Sequence, residues 1–246
     1  MGRFLQLESN RDLPVGNLGL PSTAMSTRND ERTLWHARWS EGRIGFHRDA
    51  VNTHLQAHAS ALLRDATRIL VPLCGKSVDM PWLSQQGVEV VGVDLVKTAV
   101  EAFWEEQGVS PEMDSLHGFV RTTHAAITLL QGDIFSLQES HTGTLDAVYD
   151  RAAIIALPPR EQQRYADHIL RLLKPGGHIL LLTYDLPLPA EQGPPFPVSP
   201  ERVPELYAAA SDVRCLDTIM LTPETEPKLI KRGVEWAREG VWWITR

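Results

Sequence analysis

The sequence predicts an α/β fold, a mostly parallel, Rossmann-like sheet of about seven strands with helices on both faces. Three observations carry this prediction. Residues 69–94, ILVPLCGKSVDMPWLSQQGVEVVGVD, read as an apolar run, a tight turn at Cys74-Gly75, a helix, a break at Gly87 and a β-branched run ending in an acid. Such a unit is a β-α-β crossover, which requires parallel strands and opens a ligand crevice at their carboxyl ends. Second, HILLLTY at 178–184 follows the helix stop Lys174-Pro175-Gly176-Gly177 and is continuously apolar, as a strand buried on both faces is. Third, a single pattern runs along the 246-residue chain once past its first thirty residues, so one domain is expected over 31–246, behind a flexible extension at 1–30.

Asp94 closes the second run about twenty residues after the first turn, where a carboxylate accepts hydrogen bonds from ribose hydroxyls. The turn before it decides which ribose-bearing cofactor fits. A dinucleotide site wants G-x-G-x-x-G, so that backbone closes on a pyrophosphate. Here the turn is Pro72-Leu73-Cys74-Gly75-Lys76-Ser77, with one glycine, and a phosphate-binding P-loop would need glycine where Leu70 stands. A ribose without phosphate fits this turn, and S-adenosylmethionine is the common cofactor of that kind.

Composition limits the partners. The formal net charge is -7 and no long Lys/Arg run is present, which argues against nucleic acid or an anionic membrane as principal partner. Two cysteines, Cys74 and Cys215, fit a reducing compartment, and no apolar stretch approaches the roughly 20 residues that span a bilayer. A cytoplasmic monomer acting on a small molecule is expected.

Along the chain, residues 1–30 lack periodicity. Trp35 and Trp39, four apart, share a face of a short helix that Gly42 ends before the loop carrying Phe46 and His47. They are either core aromatics or a lid over a ligand. A helix over 50–63 carries Val51, Leu55, Ala59 and Leu62 on one side. His54 and His58 have metal-compatible spacing but no neighbouring carboxylate motif, so they are read as solvated and no metal is expected. Val96, Ala99, Val100, Phe103 and Trp104 form the next helix stripe, and 110–126 reads as a long mixed connection at a binding mouth.

The third parallel strand, 127–130, leads into Gly132-Asp133-Ile134, where Asp133 can accept from an adenine amino group while Ile134 packs on the ring. The fourth, 145–149, ends at Asp150-Arg151, the place where α/β sheets put ligand-contacting groups. Asp150 and Arg151 are read either as a local ion pair or as site residues, with Arg151 aimed into the crevice. Residues 185–200 hold six of the seventeen prolines and read as a stiff loop over the same sheet edge, a wall for the substrate. A helix over 201–209 and strands over 213–221 and 241–245 complete the chain.

Seven strands, an acid after the second and a Pro-Gly-Gly turn before the fifth describe the class I methyltransferase architecture. From Trp35 onward the chain resembles the thiopurine S-methyltransferase family, most closely its bacterial members. The resemblance rests on W-H-A-R-W-S-E-G-R-I-G-F-H, V-P-L-C-G-K-S-V-D-M-P-W-L, V-V-G-V-D, D-R-A-A-I and G-P-P-F, in order over about 210 residues. It implies an N-terminal lid of Trp35, Trp39 and Phe46 over the cofactor, with Phe46 also facing the acceptor. It implies Leu73 and Gly75 beside the methionine part, Asp94 on the ribose, and Asp133 with Ile134 on the adenine. It places Arg151 at the methionine carboxylate or the acceptor, with Arg214 assisting on the acceptor side. Asp94 is shorter than the glutamate common at its site, and Ala152-Ala153 stands where many relatives have Gly-Ala or Ser-Ala.

The implied reaction moves a methyl group from S-adenosylmethionine to a small aromatic or heterocyclic thiol, with selenium and tellurium compounds as related acceptors. Alignment and desolvation suffice for such a step, and positioning alone contributes about 7 to 11 kcal/mol. Cys74, in the turn, is read as a small buried residue rather than a nucleophile. Two alternatives stay open: a halide, thiol or secondary-metabolite methyltransferase of the same superfamily, and a cofactor-binding protein without turnover.

Overall fold

The computed structural model describes residues 23–246 apart from 190–192, 223, 225, 227–233 and 235, with side chains from residue 31 onward. Helix α1 (Thr23–Ser40) and helix α2 (Thr53–Leu62) precede the sheet. The crossover then forms as expected, from β1 (Arg68–Pro72) through α3 (Asp79–Gln85) to β2 (Glu89–Asp94). Helix α4 (Lys97–Gln107) stops at Gly108, whose left-handed φ of 66° a glycine adopts without cost. Next come β3 (Glu112–Leu116), β4 (Phe119–His124), β5 (Ile127–Gln131), a turn of 3-10 helix (Ile134–Ser136) and α5 (Glu139–Thr142). Strand β6 (Leu145–Arg151), a second 3-10 turn (Ile154–Ala156), α6 (Pro159–Leu172) and β7 (Leu173–Asp185) follow. The chain ends with α7 (Arg202–Leu206), β8 (Asp212–Met220) and β9 (Arg238–Thr245).

The strand order is β3-β4-β5-β2-β1-β6-β7-β9-β8. Strands β5, β2, β1, β6 and β7 are parallel, and antiparallel pairs flank them on both sides. Among the described residues the sheet thus has nine strands rather than about seven. The difference is residues 110–126, read above as a loop at the binding mouth. They form the β3–β4 hairpin on the outer edge, with Met113 67% exposed, and none of them reaches the main cavity. The segment hides its alternation because β3 lies at the edge and buries little, exposing polar and apolar residues alike.

Successive strand residues serve opposite faces. Ile69, Val71, Val90, Leu129, Ala147, Leu180 and Leu182 pack against Leu55 and Leu62 of α2, Met80 and Leu83 of α3, and Phe103 and Trp104 of α4. Leu70, Val91, Val93, Leu130, Val148, Ile179 and Leu181 pack against Tyr165, Ile169 and Leu170 of α6 and Val203 and Leu206 of α7. Helices on both faces explain why these strands read as unbroken apolar runs.

Asp79 shows why the K-S-V-D-M segment is built as it is. Its buried carboxylate accepts from the Asn52 N–H at 2.8 Å and from the Tyr149 hydroxyl at 3.1 Å, tying the start of α2 to β6. Asn52 in turn caps α2 by accepting from the N–H groups of His54 and Leu55. Helix α1 begins at Thr23, inside the span read as an extension, and the rest of that reading falls on residues outside those described. Among the described residues, no helix is long and apolar enough to cross a membrane.

Candidate active site

The order β2-β1-β6 marks where the connections reverse direction, and in α/β sheets ligands bind at the carboxyl ends of the strands beside that point. A cavity of about 300 Å³ lies there, lined by residues from the ends of β1, β2, β5, β6, β7 and β9 and from α1. Leu73 after β1 and Ala152 after β6 border it with φ values of 46° and 63°, left-handed conformations that side chains other than glycine rarely take. Such a conformation costs of order 1–3 kcal/mol and persists where the surroundings impose it, commonly at functional sites.

At one end lies Asp94, 8% exposed at the close of β2. One carboxylate oxygen accepts from the Gly75 N–H and the other from the Val96 N–H, both at 2.8 Å. Each oxygen keeps a second lone pair, so the group can still accept two hydroxyl donors. Burial pushes its pKa up to about 6, against the lowering effect of those backbone donors. Asp133 and Ile134, on the loop after β5, border the same end. One Asp133 oxygen caps the Ile134–Ser136 turn by accepting from the Phe135 N–H at 3.0 Å, and the other lies 3.8 Å from Arg32 of α1.

Helix α1 closes over this end. Phe46 meets Trp35 and Trp39 edge to face, with ring centroids 5.8 and 5.9 Å apart. A Cβ on Gly75, whose φ is 52°, would stand 3.1 Å from Trp39 Cζ2, so the glycine lets the indole rest on the turn. Glu31 pairs with Arg160 at the start of α6, and Arg151 Nη2 donates to the Phe46 carbonyl at 3.3 Å. Trp35, Trp39, Phe46, Leu73, Asp94, Asp133, Ile134 and Arg151 therefore converge on one cavity, with Gly75 directly beneath its aromatic cover.

Two residues singled out from the sequence lie elsewhere. Asp150 is fully buried and faces away from the cavity, accepting from the Tyr165 hydroxyl at 2.7 Å and the Ile154 N–H at 3.2 Å. Burial raises its pKa to about 6. Alternation along β6 sends Asp150 and Arg151 to opposite faces, so the two do not act as a pair in the crevice. Arg214 sits on the edge strand β8 in register with Trp243 and Leu180, level with the middle of β7, and does not line the cavity. It pairs there with Asp212 at 2.6 Å.

The other end of the cavity holds Arg48, Arg151, Tyr184, Glu226 and Glu239, of which only Arg151 was expected. Arg48 pairs with Glu226, and the Tyr184 hydroxyl donates to the same carboxylate at 3.5 Å. His54 Nε2 lies 3.2 Å from Glu239, so this histidine turns inward instead of being solvated. Pro194 and Pro195 line the cavity as the proline-rich segment was expected to, held where Phe196 donates to the Ile155 carbonyl at 2.7 Å. Cys74 is buried and its thiol pKa is raised by burial, as a packing residue's would be. Tyr184 ends HILLLTY and could have been flagged by that position. Glu239 gave no signal, because its place beside Tyr184 arises from β7–β9 pairing.

Comparison with known proteins decides the family. A model of the thiopurine S-methyltransferase (TPMT) family matches residues 30–246. The chain belongs to the thiopurine S-methyltransferase family. The Pseudomonas aeruginosa (strain UCBPP-PA14) thiopurine S-methyltransferase is 46% identical over 214 residues, 87% of this chain and 98% of the relative. That of Nitrosospira multiformis is 40% identical over 212 residues, 86% and 96% of the two chains. Among solved structures, the Burkholderia thailandensis 1,6-didemethyltoxoflavin-N1-methyltransferase, with bound 1,6-didemethyltoxoflavin and S-adenosylhomocysteine, superposes with a TM-score of 0.62. It is 15% identical and the match covers 96% of this chain and 93% of that one, a likeness of fold. As a member of the thiopurine S-methyltransferase family, the chain is an S-adenosylmethionine-dependent methyltransferase. The residues fit that cofactor. Asp94 borders the cavity with its carboxylate held by backbone N–H groups and able to accept further donors, and Gly75 lets Trp39 close over the same turn.

Proposed function

We propose that the chain transfers the methyl group of S-adenosylmethionine to the sulfur of a small aromatic or heterocyclic thiol, with selenium and tellurium compounds as related acceptors. The observation that carries this is the cavity's division. One end offers an acid for ribose and an acid for an amino group, the other a guanidinium, and an aromatic cover joins them. The cofactor supplies an electrophilic methyl group on a positively charged sulfur.

Under this reading Asp94 holds the ribose, and Asp133 with Ile134 holds the adenine. Trp35, Trp39 and Phe46 exclude water, which strengthens every charge interaction beneath them. Arg151, fixed to the Phe46 carbonyl, holds an anionic sulfur in line with the methyl group. An aromatic thiol is substantially ionised near neutral pH, so orientation and desolvation carry the step. Asp150 contributes by fixing the turn after Arg151 through the Ile154 N–H.

The test is transfer of labelled methyl from S-adenosylmethionine to a panel of thiopurines, aryl thiols, iodide and selenite by the purified chain. Label on an aromatic or heterocyclic thiol is the expected result. Label on iodide alone, or on no acceptor while the cofactor binds, would refute the assignment.

A further inference from the structure

The acceptor end of the cavity carries charges of both signs, and they are not equivalent. Arg48 is matched by Glu226, which also takes the Tyr184 hydroxyl. Arg151 is held by a neutral carbonyl, that of Phe46. Glu239 stands on β9 opposite Tyr184, with its side chain 13% exposed and facing the cavity. His54 of α2 holds Oε2 of this carboxylate at 3.2 Å from behind. Burial works against its ionisation while His54, Arg151 and Arg48 favour it. A nearly buried carboxylate has up to four lone-pair sites, and each one left without a donor is costly. A simple aryl thiolate or an oxyanion brings only negative charge to this wall. It satisfies Arg151 and leaves Glu239 facing like charge.

Resting on the methyl-transfer reading above, we propose that Glu239 is the specificity-determining residue of the acceptor subsite. Its carboxylate accepts a ring N–H from a heteroaromatic thiol whose anionic sulfur lies on the Arg151 side. The favoured acceptors are therefore nitrogen heterocycles with an N–H and an exocyclic sulfur on one edge. A site built to receive an N–H discriminates against isosteres that lack it, because its own polar group is then left unpaired.

The experiment compares mercaptobenzimidazole, whose thiolate keeps a ring N–H, with the near-isosteric mercaptobenzothiazole, whose thiolate has none. Binding of each to protein saturated with S-adenosylhomocysteine and kcat/KM for methylation are both measured, each referred to the concentration of thiolate present at the assay pH, because the benzimidazole is the weaker acid. The wild type is expected to favour the benzimidazole by about 10-fold or more. Glu239→Ala is expected to remove that preference, lowering the benzimidazole values by about 10- to 100-fold and the benzothiazole values by less than about threefold. Glu239→Gln, which preserves shape, is expected to reduce the preference in the same direction. Equal losses for both thiols would mean that Glu239 only supports the pocket. No preference in the wild type would likewise overturn the proposal, and either result leaves methyl transfer standing. Failure of the wild type to bind or methylate either thiol would overturn the methyl-transfer reading together with this one.

Discussion

Replacing Asp94 by Asn preserves the side chain's shape while removing its charge, and the structure sets the size of both effects. The carboxylate is 8% exposed and accepts one backbone N–H on each oxygen, from Gly75 and Val96. Burial lifts its pKa from 3.8 to about 6, which corresponds to roughly 3 kcal/mol disfavouring the ionised form in the fold. Because the folded pKa is the higher one, this contribution to stability is fully present below about pH 4 and is lost as pH rises through about 6. Asp94→Asn escapes that loss but turns an amide NH2 toward one of the two backbone donors, at a cost of about 1–3 kcal/mol. The variant is therefore expected to be as stable as the wild type at neutral pH, or more stable by up to about 2 kcal/mol. Cofactor binding moves the other way. A hydrogen bond to a charged acceptor contributes about 1.5–3 kcal/mol, so affinity for S-adenosylhomocysteine should fall about 10- to 100-fold. Titration calorimetry from about pH 5 to about pH 8, beside thermal unfolding, measures both. Wild-type affinity should weaken about tenfold at the acid end, as the carboxyl protonates, while the variant's dependence flattens. Unchanged affinity in the variant, or a loss of stability beyond about 3 kcal/mol, would show that Asp94 serves the turn and not the ribose.

Three other substitutions probe the lid, the core and the sheet edge. Gly75→Ala places a Cβ 3.1 Å from Trp39 at a φ of 52°, so a stability loss of about 1–2 kcal/mol and weaker cofactor binding are expected, read by tryptophan fluorescence and calorimetry. Asp150→Ala leaves the Tyr165 hydroxyl and the Ile154 N–H unpartnered in the core and should cost about 2–4 kcal/mol in urea unfolding. Arg214→Ala breaks an exposed pair with Asp212 at the sheet edge, so stability should stay within about 0.5 kcal/mol and acceptor kinetics should not change.

The sequence by itself determined the elements whose signals are local. The crossover at 69–94 was legible because both strands are buried on two faces and read as apolar runs, and because Gly75 and Gly87 mark the turns where φ turns positive. Asp94 and Asp133 were legible for the same reason, since an acid at the end of a parallel strand lies at the crevice wherever the sheet goes. Trp35, Trp39 and Phe46 were visible as a cluster, but their packing on one another over Gly75 at the cavity came only from the fold. Only the tertiary structure decided the rest. It turned Asp150 into the core and Arg151 into the cavity, because alternation along β6 separates neighbours that look like a pair in sequence. It put Arg214 on the edge strand β8, outside the cavity lining, through the pairing of β8 on β9. The same antiparallel pairing brought Glu239 beside Tyr184, 55 positions earlier in the chain, and His54 reached it from a helix packed across β7. Register between distant strands depends on the summed packing of both faces, and no short stretch of residues carries that information.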